Sequence, residues 1–293
     1  MANLKYSIKD LENFTQIKAH TIRIWEQRYG LLTPKRTKTN IRFYSEDDLK
    51  KILNINLLYT SGYKISKIAQ LSDQEIIEKS KSLILVVDRD KQSEIDTMIM
   101  LILGFKGEKI KERLESELTT SKLEDLYTQI IVPLLMKIGQ LWQVNSINII
   151  HEHYFSNIFR EFIISNILSL KTKPDPLKSA LLFLHDHEEH EFSILIYHYI
   201  LKENGYRCHY FGQKVPVKEM TLAFAQIKPQ LVVSTFTSKI SDKNFKKIET
   251  ILLEMSKTSV VIVSGSQITN SNIKLPKKLF HVKTIDQLNL LLK

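Results

Sequence analysis

Residues 21–68 read TIRIWEQRYGLLTPKRTKTNIRFYSEDDLKKILNINLLYTSGYKISKI, and this stretch decides the fold of the N-terminal part of the chain. Ile22, Trp25 and Tyr29 recur at the spacing of one helix face, and Gly30 follows where a helix ends. A short amphipathic helix is predicted just before it, at residues 7–14. Two short helices joined by a tight turn, the second of them basic, predict a helix-turn-helix.

The segment after the second helix predicts a basic wing. Residues 33–45, TPKRTKTNIRFYS, combine basic and β-forming residues around a central turn, which is typical of two short paired strands. Apolar residues at helical spacing in 49–58 and 65–71 then predict two further helices. The N-terminal segment is therefore predicted to be a winged helix-turn-helix.

The positive charge of the chain is concentrated in this part. The whole sequence of 293 residues has a net charge of +10, and residues 1–70 carry thirteen Lys or Arg against six Asp or Glu, a net of +7. A basic end on a near-neutral body is typical of a nucleic-acid-binding module, because phosphate contacts supply most non-specific affinity. A solvated lysine-rich face would give the same charge. The sequence motifs are therefore needed to distinguish a nucleic-acid-binding module from such a face.

Residues 5–72 closely resemble the winged-helix DNA-binding domain of the MerR family of transcription regulators, with order and spacing kept throughout. The resemblance implies that the second helix binds in the major groove of double-stranded DNA and that the wings contact the DNA backbone on either side. Asn40 stands in a wing turn where the family usually has glycine, and asparagine tolerates the left-handed conformation that this turn needs. By position, the resemblance assigns Lys18, His20 and Thr21 to base edges, Arg23 and Arg28 to phosphates, and Lys35, Arg36, Arg42 and Tyr44 to the wing clamp.

A middle helical bundle is predicted from apolar residues that recur at helical spacing across residues 123–163. Trp142 ends one predicted helix, Asn145 or Ser146 would cap the next, and Glu152 and His153 lie inside that second helix. A helical hairpin could bring an indole, a carboxylate and an imidazole to one end of the bundle. From the residues alone, a structural role for these three side chains remains the alternative.

From residue 178 the periodicity changes to alternating strands and helices, which predicts an open parallel sheet of the Rossmann-like α/β class. Ligands of such sheets bind outside the carboxyl ends of the strands. Neither the glycine-rich dinucleotide motif nor the phosphate-binding loop motif occurs, so nucleotide cofactors are poorly supported.

The loop after the first of these strands, HDHEEH at residues 185–190, has three interpretations. It resembles a zinc motif of the metallo-β-lactamase type, but the further ligands of such a site are not evident downstream. It could be a solvated polar loop. The third interpretation uses its position, because a Glu-x-His sequence follows a strand and opens a helix.

That third pattern resembles the cobalamin-binding domains, whose histidine ligates cobalt from the lower face. The resemblance assigns Glu188 and His190 to this role, with His190 as the metal ligand, and Ser193, Ser234, Gly265 and Ser266 to the neighbouring cofactor-binding positions. Trp142, Glu152 and His153 reproduce the Trp-x9-Glu-His pattern of MerR-type regulators that sense adenosylcobalamin, in which these side chains cover the upper face. Some members of that photoreceptor-type subfamily use the photolabile cobalt–carbon bond.

Two departures from the pattern bear on the cofactor. Ser193 and Ser266 replace glycines that let the chain pass close to the nucleotide tail of cobalamin, and each adds a side chain there. Gln143 follows Trp142, so the neighbouring position gives no second histidine for cobalt. A sensor fold without its cofactor, controlled by protein partners, is therefore the main alternative.

The sequence thus predicts an α plus α/β protein in three parts: a winged module at 1–75, a helical bundle at 80–172 and a cobalamin-binding-like domain at 177–293. A homodimer or higher homo-oligomer would align two winged modules with a two-fold operator. The lone Cys208 and the lack of a signal-peptide core or membrane span predict a cytoplasmic, non-membrane protein. A corrinoid-dependent methyltransferase or mutase subunit is the enzyme alternative, but the basic N-terminal module argues against it.

Overall fold

The computed structural model describes residues 6–15, 17–37, 39–84, 89–143, 146–175, 177–270 and 275–292. These residues fall into two compact units. The first comprises residues 1–113 and 128–156, and the second comprises residues 114–127 and 157–293. Among the described residues, none of the helices has the length and apolar character needed to cross a bilayer.

The winged module, residues 6–71, contains four helices and a two-stranded wing. Its elements are α1 (Ile8–Thr15), α2 (Ala19–Tyr29), β1 (Lys35–Arg36), β2 (Arg42–Phe43), α3 (Glu46–Thr60) and α4 (Ile65–Ile68). The wing strands pair antiparallel, with Lys35 opposite Phe43. The predicted helix-turn-helix and wing are confirmed.

Local sequence signals set the ends of these helices. Ser7 accepts a hydrogen bond from the Asp10 amide at the start of α1, and Gly30 ends α2 in the left-handed conformation with φ of 64°. Ser45 and Asp48 form a reciprocal capping box at the start of α3. The caps fix where each helix begins and ends, so that Ile22 and Trp25 face the core of the module.

The helices that follow are α5 (Asp73–Ile84), α6 (Arg89–Leu103), α7 (Gly107–Leu118), α8 (Leu123–Leu126), a π-helical turn at Tyr127–Ile131, α9 (Val132–Gln143) and α10 (Ile149–Ser169). The predicted cap of α10 was wrong in position. Asn148, whose Oδ1 accepts from the Ile150 amide, stands at its start. Asn145 lies outside the described residues.

The C-terminal part is a five-stranded parallel sheet flanked by helices. The elements are β3 (Ser179–Leu182), α11 (Phe192–Glu203), β4 (Arg207–Tyr210), α12 (Val217–Ile227), β5 (Leu231–Thr235), α13 (Asp242–Met255), β6 (Val260–Ser264), α14 (Ser266–Asn270), β7 (Leu279–His281) and α15 (Ile285–Leu291). The strand order is β4-β3-β5-β6-β7, and all neighbours are parallel. Chain order reverses at β3, so the loops after β3 and β5 lie side by side at the carboxyl edge.

Candidate functional site

The basic side chains assigned to DNA lie on the surface of the winged module. Lys18, just before α2, is exposed, as are His20, Arg23 and Arg28 along this helix, and Thr21 is half-buried. On the wing, Lys35 and Arg36 are exposed. Most of the predicted contact residues are therefore accessible to a duplex, whereas Ile22 and Trp25 are buried core residues, as predicted from the spacing.

The wing turn forms without glycine. Asn40 adopts a left-handed conformation with φ of 64°, and its Oδ1 accepts a hydrogen bond of 2.8 Å from Arg36 Nη1. Asparagine tolerates this region because its short side chain bonds locally. The same bond holds Arg36 at the tip of the wing.

Tyr44 departs from its predicted role as a wing clamp. Its side chain is fully buried, and its hydroxyl donates to Glu26 of α2. Arg42 lies on the same carboxylate, with Nε 3.4 Å from Glu26 Oε2. Glu26 therefore joins the wing to α2. The sequence did not predict this role, although an acidic residue within a basic helix is a signal for it.

Trp142 belongs to the first unit and packs against the core of the winged module. Lys50 of α3 lies 5.1 Å from the centroid of its ring. Near the start of α10, His153 Nδ1 lies 2.8 Å from Glu152 Oε2, and Ser156 donates to Glu152 at 2.6 Å. The His153 side chain is 69% exposed.

Glu188 and His190 form the most tightly built polar cluster of the second unit. Glu188 is fully buried, and its Oε1 lies 2.7 Å from His190 Nδ1. A carboxylate can only accept, so Nδ1 carries a proton, and in the neutral ring the lone pair is on Nε2. The His190 side chain is 64% exposed, whereas its carboxylate partner has no exposure.

Glu188 accepts hydrogen bonds from two different loops. Oε1 accepts from the His190 amide after β3 and from the Ser238 hydroxyl after β5, and Oε2 accepts from the amides of Thr237 and Ser238 at 2.6 and 2.7 Å. Burial alone would raise the pKa of Glu188, but these hydrogen bonds and the one from His190 Nδ1 outweigh it and lower the pKa to about 2. The carboxylate therefore stays ionised and orients the imidazole.

Of the three serines predicted to line the cofactor, Ser193 and Ser266 hydrogen-bond within the protein and Ser234 does not. The Ser193 hydroxyl lies 2.9 Å from that of Tyr127, and Ser266 Oγ lies 3.3 Å from the carbonyl oxygen of Thr237. Ser234 is fully buried, and its hydroxyl has no hydrogen-bond partner within the part of the chain that the structure describes. Gly265 has φ of 110°, and a Cβ there would lie 2.2 Å from the Phe236 carbonyl oxygen.

The geometry of the loop at residues 185–190 does not support a zinc site. His185 is fully buried over Phe236, and burial lowers its pKa to about 4. His187 Nε2 lies 3.0 Å from Asn244 Nδ2. Across the described ranges, no group of three or more His, Cys, Asp or Glu side chains could hold a metal ion.

Two family models match separate segments of the chain. Residues 6–75 match the model of the MerR HTH family of regulatory proteins, and residues 94–164 match the model of a B12 binding domain. The second match covers α6 to α10 rather than the parallel sheet. The chain therefore combines a MerR-type winged module with a helical segment of the B12 binding domain type.

The chain belongs to the MerR HTH family of regulatory proteins and is a MerR-type transcription regulator with a B12 binding domain. It is 30% identical to the uncharacterised HTH-type transcriptional regulator YyaN of Bacillus subtilis over 130 residues, 43% of this chain and 93% of YyaN. It is 25% identical to the HTH-type transcriptional repressor CarH of Myxococcus xanthus over 257 residues, 83% of this chain and 82% of CarH.

The fold agrees with that of a solved corrinoid protein. The monomethylamine corrinoid protein of Methanosarcina barkeri superposes with a TM-score of 0.53 and 15% identity, covering 69% of this chain and 97% of that protein. At this identity the similarity concerns the fold alone.

Proposed function

We propose that this regulator binds double-stranded DNA through α2 and the wing and senses a cobalamin through the sheet domain, with His190 as the protein ligand to cobalt. The observation that carries the sensing proposal is the buried Glu188 carboxylate, which holds His190 with its proton on Nδ1 and its lone pair on Nε2. A neutral imidazole with a carboxylate behind it is a well-suited ligand for a transition metal.

The side chains around this pair fit a cobalamin in part. The buried Ser234 hydroxyl, which lacks a partner among the described residues, is the kind of group that a bound ligand would satisfy. Bound adenosylcobalamin would supply a cobalt–carbon bond sensitive to light. Glu188 and His190 would hold the lower face. On the resemblance alone we assign Glu152 and His153 to the upper face, and Trp142 would join them only on leaving its packing against the winged module.

The DNA part of the proposal is supported by the accessible cations of α2 and the wing. Arg23 and Arg28 would contact phosphates, while Lys18, His20 and Thr21 would face base edges, because phosphate contacts position a module and base contacts specify its site. We propose a homo-oligomer that aligns two modules, so that ligand binding and operator affinity are linked.

A second candidate is a regulator with the same DNA-binding module and a sensor that has lost its cofactor. The observation that favours it is that side chains predicted to lie beside the nucleotide tail of cobalamin are hydrogen-bonded to other parts of the protein. Ser193 is bonded to Tyr127, and the buried Tyr197 hydroxyl donates to Ser264 Oγ at 2.7 Å, next to Gly265. The enzyme alternative, a corrinoid-dependent methyltransferase or mutase subunit, has support from the fold alone.

Retention of corrinoid separates these candidates. Purified protein is mixed with adenosylcobalamin in the dark and desalted, and the bound corrinoid is quantified for the parent, His190→Ala and His187→Ala. We expect about one equivalent on the parent and on the His187 control and a large loss on His190→Ala. A parent protein that retains no corrinoid would favour the cofactor-free sensor.

A further inference from the structure

An amide pair joins the winged module to the end of helix α9. Asn54 of α3 is 1% exposed, and its Nδ2 donates to the backbone carbonyl of Gln143 at 3.0 Å. In return, the Gln143 Nε2 donates to Asn54 Oδ1 at 3.1 Å. The two residues are 89 positions apart in sequence, so this contact is made by tertiary structure alone.

The contact also completes the end of a helix. Gln143 is the last residue of α9, and the carbonyls of a last helical turn have no partner within the helix. Asn54 thus supplies the donor that caps α9 from outside. A buried amide without such partners would be destabilising, so both residues are satisfied only when α3 and α9 meet in this register.

A second contact lies next to the first. Lys50, one turn before Asn54 on α3, places its ammonium over the ring of Trp142, the residue before Gln143. The indole packs against the core of the winged module, and its buried Nε1 has no hydrogen-bond partner among the residues described. The last two residues of α9 are therefore both held by α3.

We propose that Asn54, Gln143, Lys50 and Trp142 form a joint through which helix α9 fixes the orientation of the winged module. Apolar contacts alone would allow several packings of similar energy, whereas a reciprocal amide pair specifies one. The joint leaves the exposed cations of α2 and the wing uncovered, so it acts on DNA binding by positioning the module. That effect on DNA rests on the proposed function.

The test of the joint measures distances in the full chain. Spin labels are placed at Lys9→Cys on α1 and Met136→Cys on α9, both exposed positions, in a Cys208→Ser background. Asn54→Leu keeps the packing volume and removes both hydrogen bonds of the pair, whereas Gln143→Ala removes the side-chain bond to Asn54 Oδ1 and keeps the backbone carbonyl. Gln140→Ala, three residues earlier on the same helix, is the matched control.

We expect a broad distance distribution in Asn54→Leu and Gln143→Ala and a narrow one in the parent and in Gln140→Ala. Amide hydrogen exchange should rise in residues 50–58 and 138–143 of the two joint variants and stay unchanged in α11, which shows that the rest of the chain is folded. An unchanged distance distribution in both joint variants would overturn the proposal.

A second measurement concerns DNA. On a mixed-sequence duplex, Asn54→Leu should bind about fivefold more weakly than the parent, as expected for the loss of the hydrogen-bonded pair, and Gln143→Ala should show a smaller loss because one of the two bonds remains. The double variant should be no weaker than Asn54→Leu, because that change alone removes both hydrogen bonds of the pair. Losses that multiply, or an equal loss in Gln140→Ala, would contradict the joint. A parent chain that binds no duplex would refute the DNA-binding function, and the distance distributions would still decide the joint.

Discussion

At the residue scale, Glu188 is the side chain on which most of the sensor site depends. It is ionised although fully buried, and it accepts hydrogen bonds from loops that follow two neighbouring strands. The position of Glu188 and His190 after a strand could be predicted from sequence, because the strand is apolar and the polar run begins where it ends. The hydrogen bonds from Thr237 and Ser238, 49 and 50 residues later, could not be predicted from sequence, because they depend on how two distant loops meet.

Replacement of this carboxylate tests its role. In Glu188→Gln, the amide nitrogen would face backbone donors that the carboxylate oxygens now satisfy, so the protein should lose about 3 kcal/mol of unfolding free energy. Urea unfolding at neutral pH gives the measurement. Glu189→Gln, at an exposed neighbour that pairs with Lys214, is the control and should change stability by less than about 1 kcal/mol. Equal losses in the two variants would contradict the role of Glu188.

Arg23 tests the DNA-binding surface at the same scale. Arg23→Ala should weaken binding to all duplex sequences by a similar factor and lower the salt slope by about one, because one phosphate contact is lost. Gln27→Ala, an exposed neutral residue on the same helix, should leave the slope unchanged. An unchanged slope in Arg23→Ala would remove Arg23 from the phosphate contacts.

At the scale of elements, the order of helices and strands follows from periodicity. The parallel sheet, the wing and the end of α2 at Gly30 were all predictable, because alternation and caps are local signals. The burial of Tyr44 was not. An aromatic residue at the end of a wing strand can face DNA or the core, and only the contact with Glu26 decides between them.

The end of strand β6 requires a glycine at position 265. It follows β6 with φ of 110°, and a Cβ there would lie 2.2 Å from the Phe236 carbonyl oxygen. Gly265→Ala should therefore destabilise the sheet domain by about 3 kcal/mol or more, since backbone strain and a backbone clash add. Gly212→Ala provides the comparison, because Gly212 has φ of 81° and no atom within 4 Å of the added Cβ.

Thermal or urea unfolding of the two glycine variants separates the contributions. Gly212→Ala measures the cost of the left-handed backbone alone, about 1 to 2 kcal/mol. A Gly265→Ala variant no less stable than Gly212→Ala would show that Phe236 can move away, and the close approach would then have no structural consequence.

At the scale of the whole molecule, buried ionisable groups predict how stability depends on pH. Burial lowers the pKa of His185 and of His198 from 6.5 to about 4. The unfolded chain takes up protons below pH 6.5 that the folded chain refuses, so stability falls as the pH drops from 6.5 to about 4. The lowered pKa of Glu188 adds a loss between pH 4.5 and about 2.

Urea midpoints at pH 7 and pH 4 check this dependence. His198→Leu should show a smaller loss of stability over that interval than the parent, by roughly 2 to 3 kcal/mol, because one buried histidine no longer resists protonation. Leu222→Ala, at an exposed position on α12, changes no ionisable group and should leave the pH dependence as in the parent. Identical pH profiles for the parent and His198→Leu would contradict the prediction.

Ligation of cobalt by His190 can be measured directly by electron paramagnetic resonance. The protein is produced with ¹⁵N-labelled histidine, loaded with cob(II)alamin and desalted, and the nitrogen splitting of the cobalt signal is recorded. Coordination by His190 predicts a doublet with labelled protein and a triplet with unlabelled protein, and a loss of this change in His190→Ala. A triplet with labelled protein, or no retained corrinoid, would contradict the assignment of His190 as the cobalt ligand.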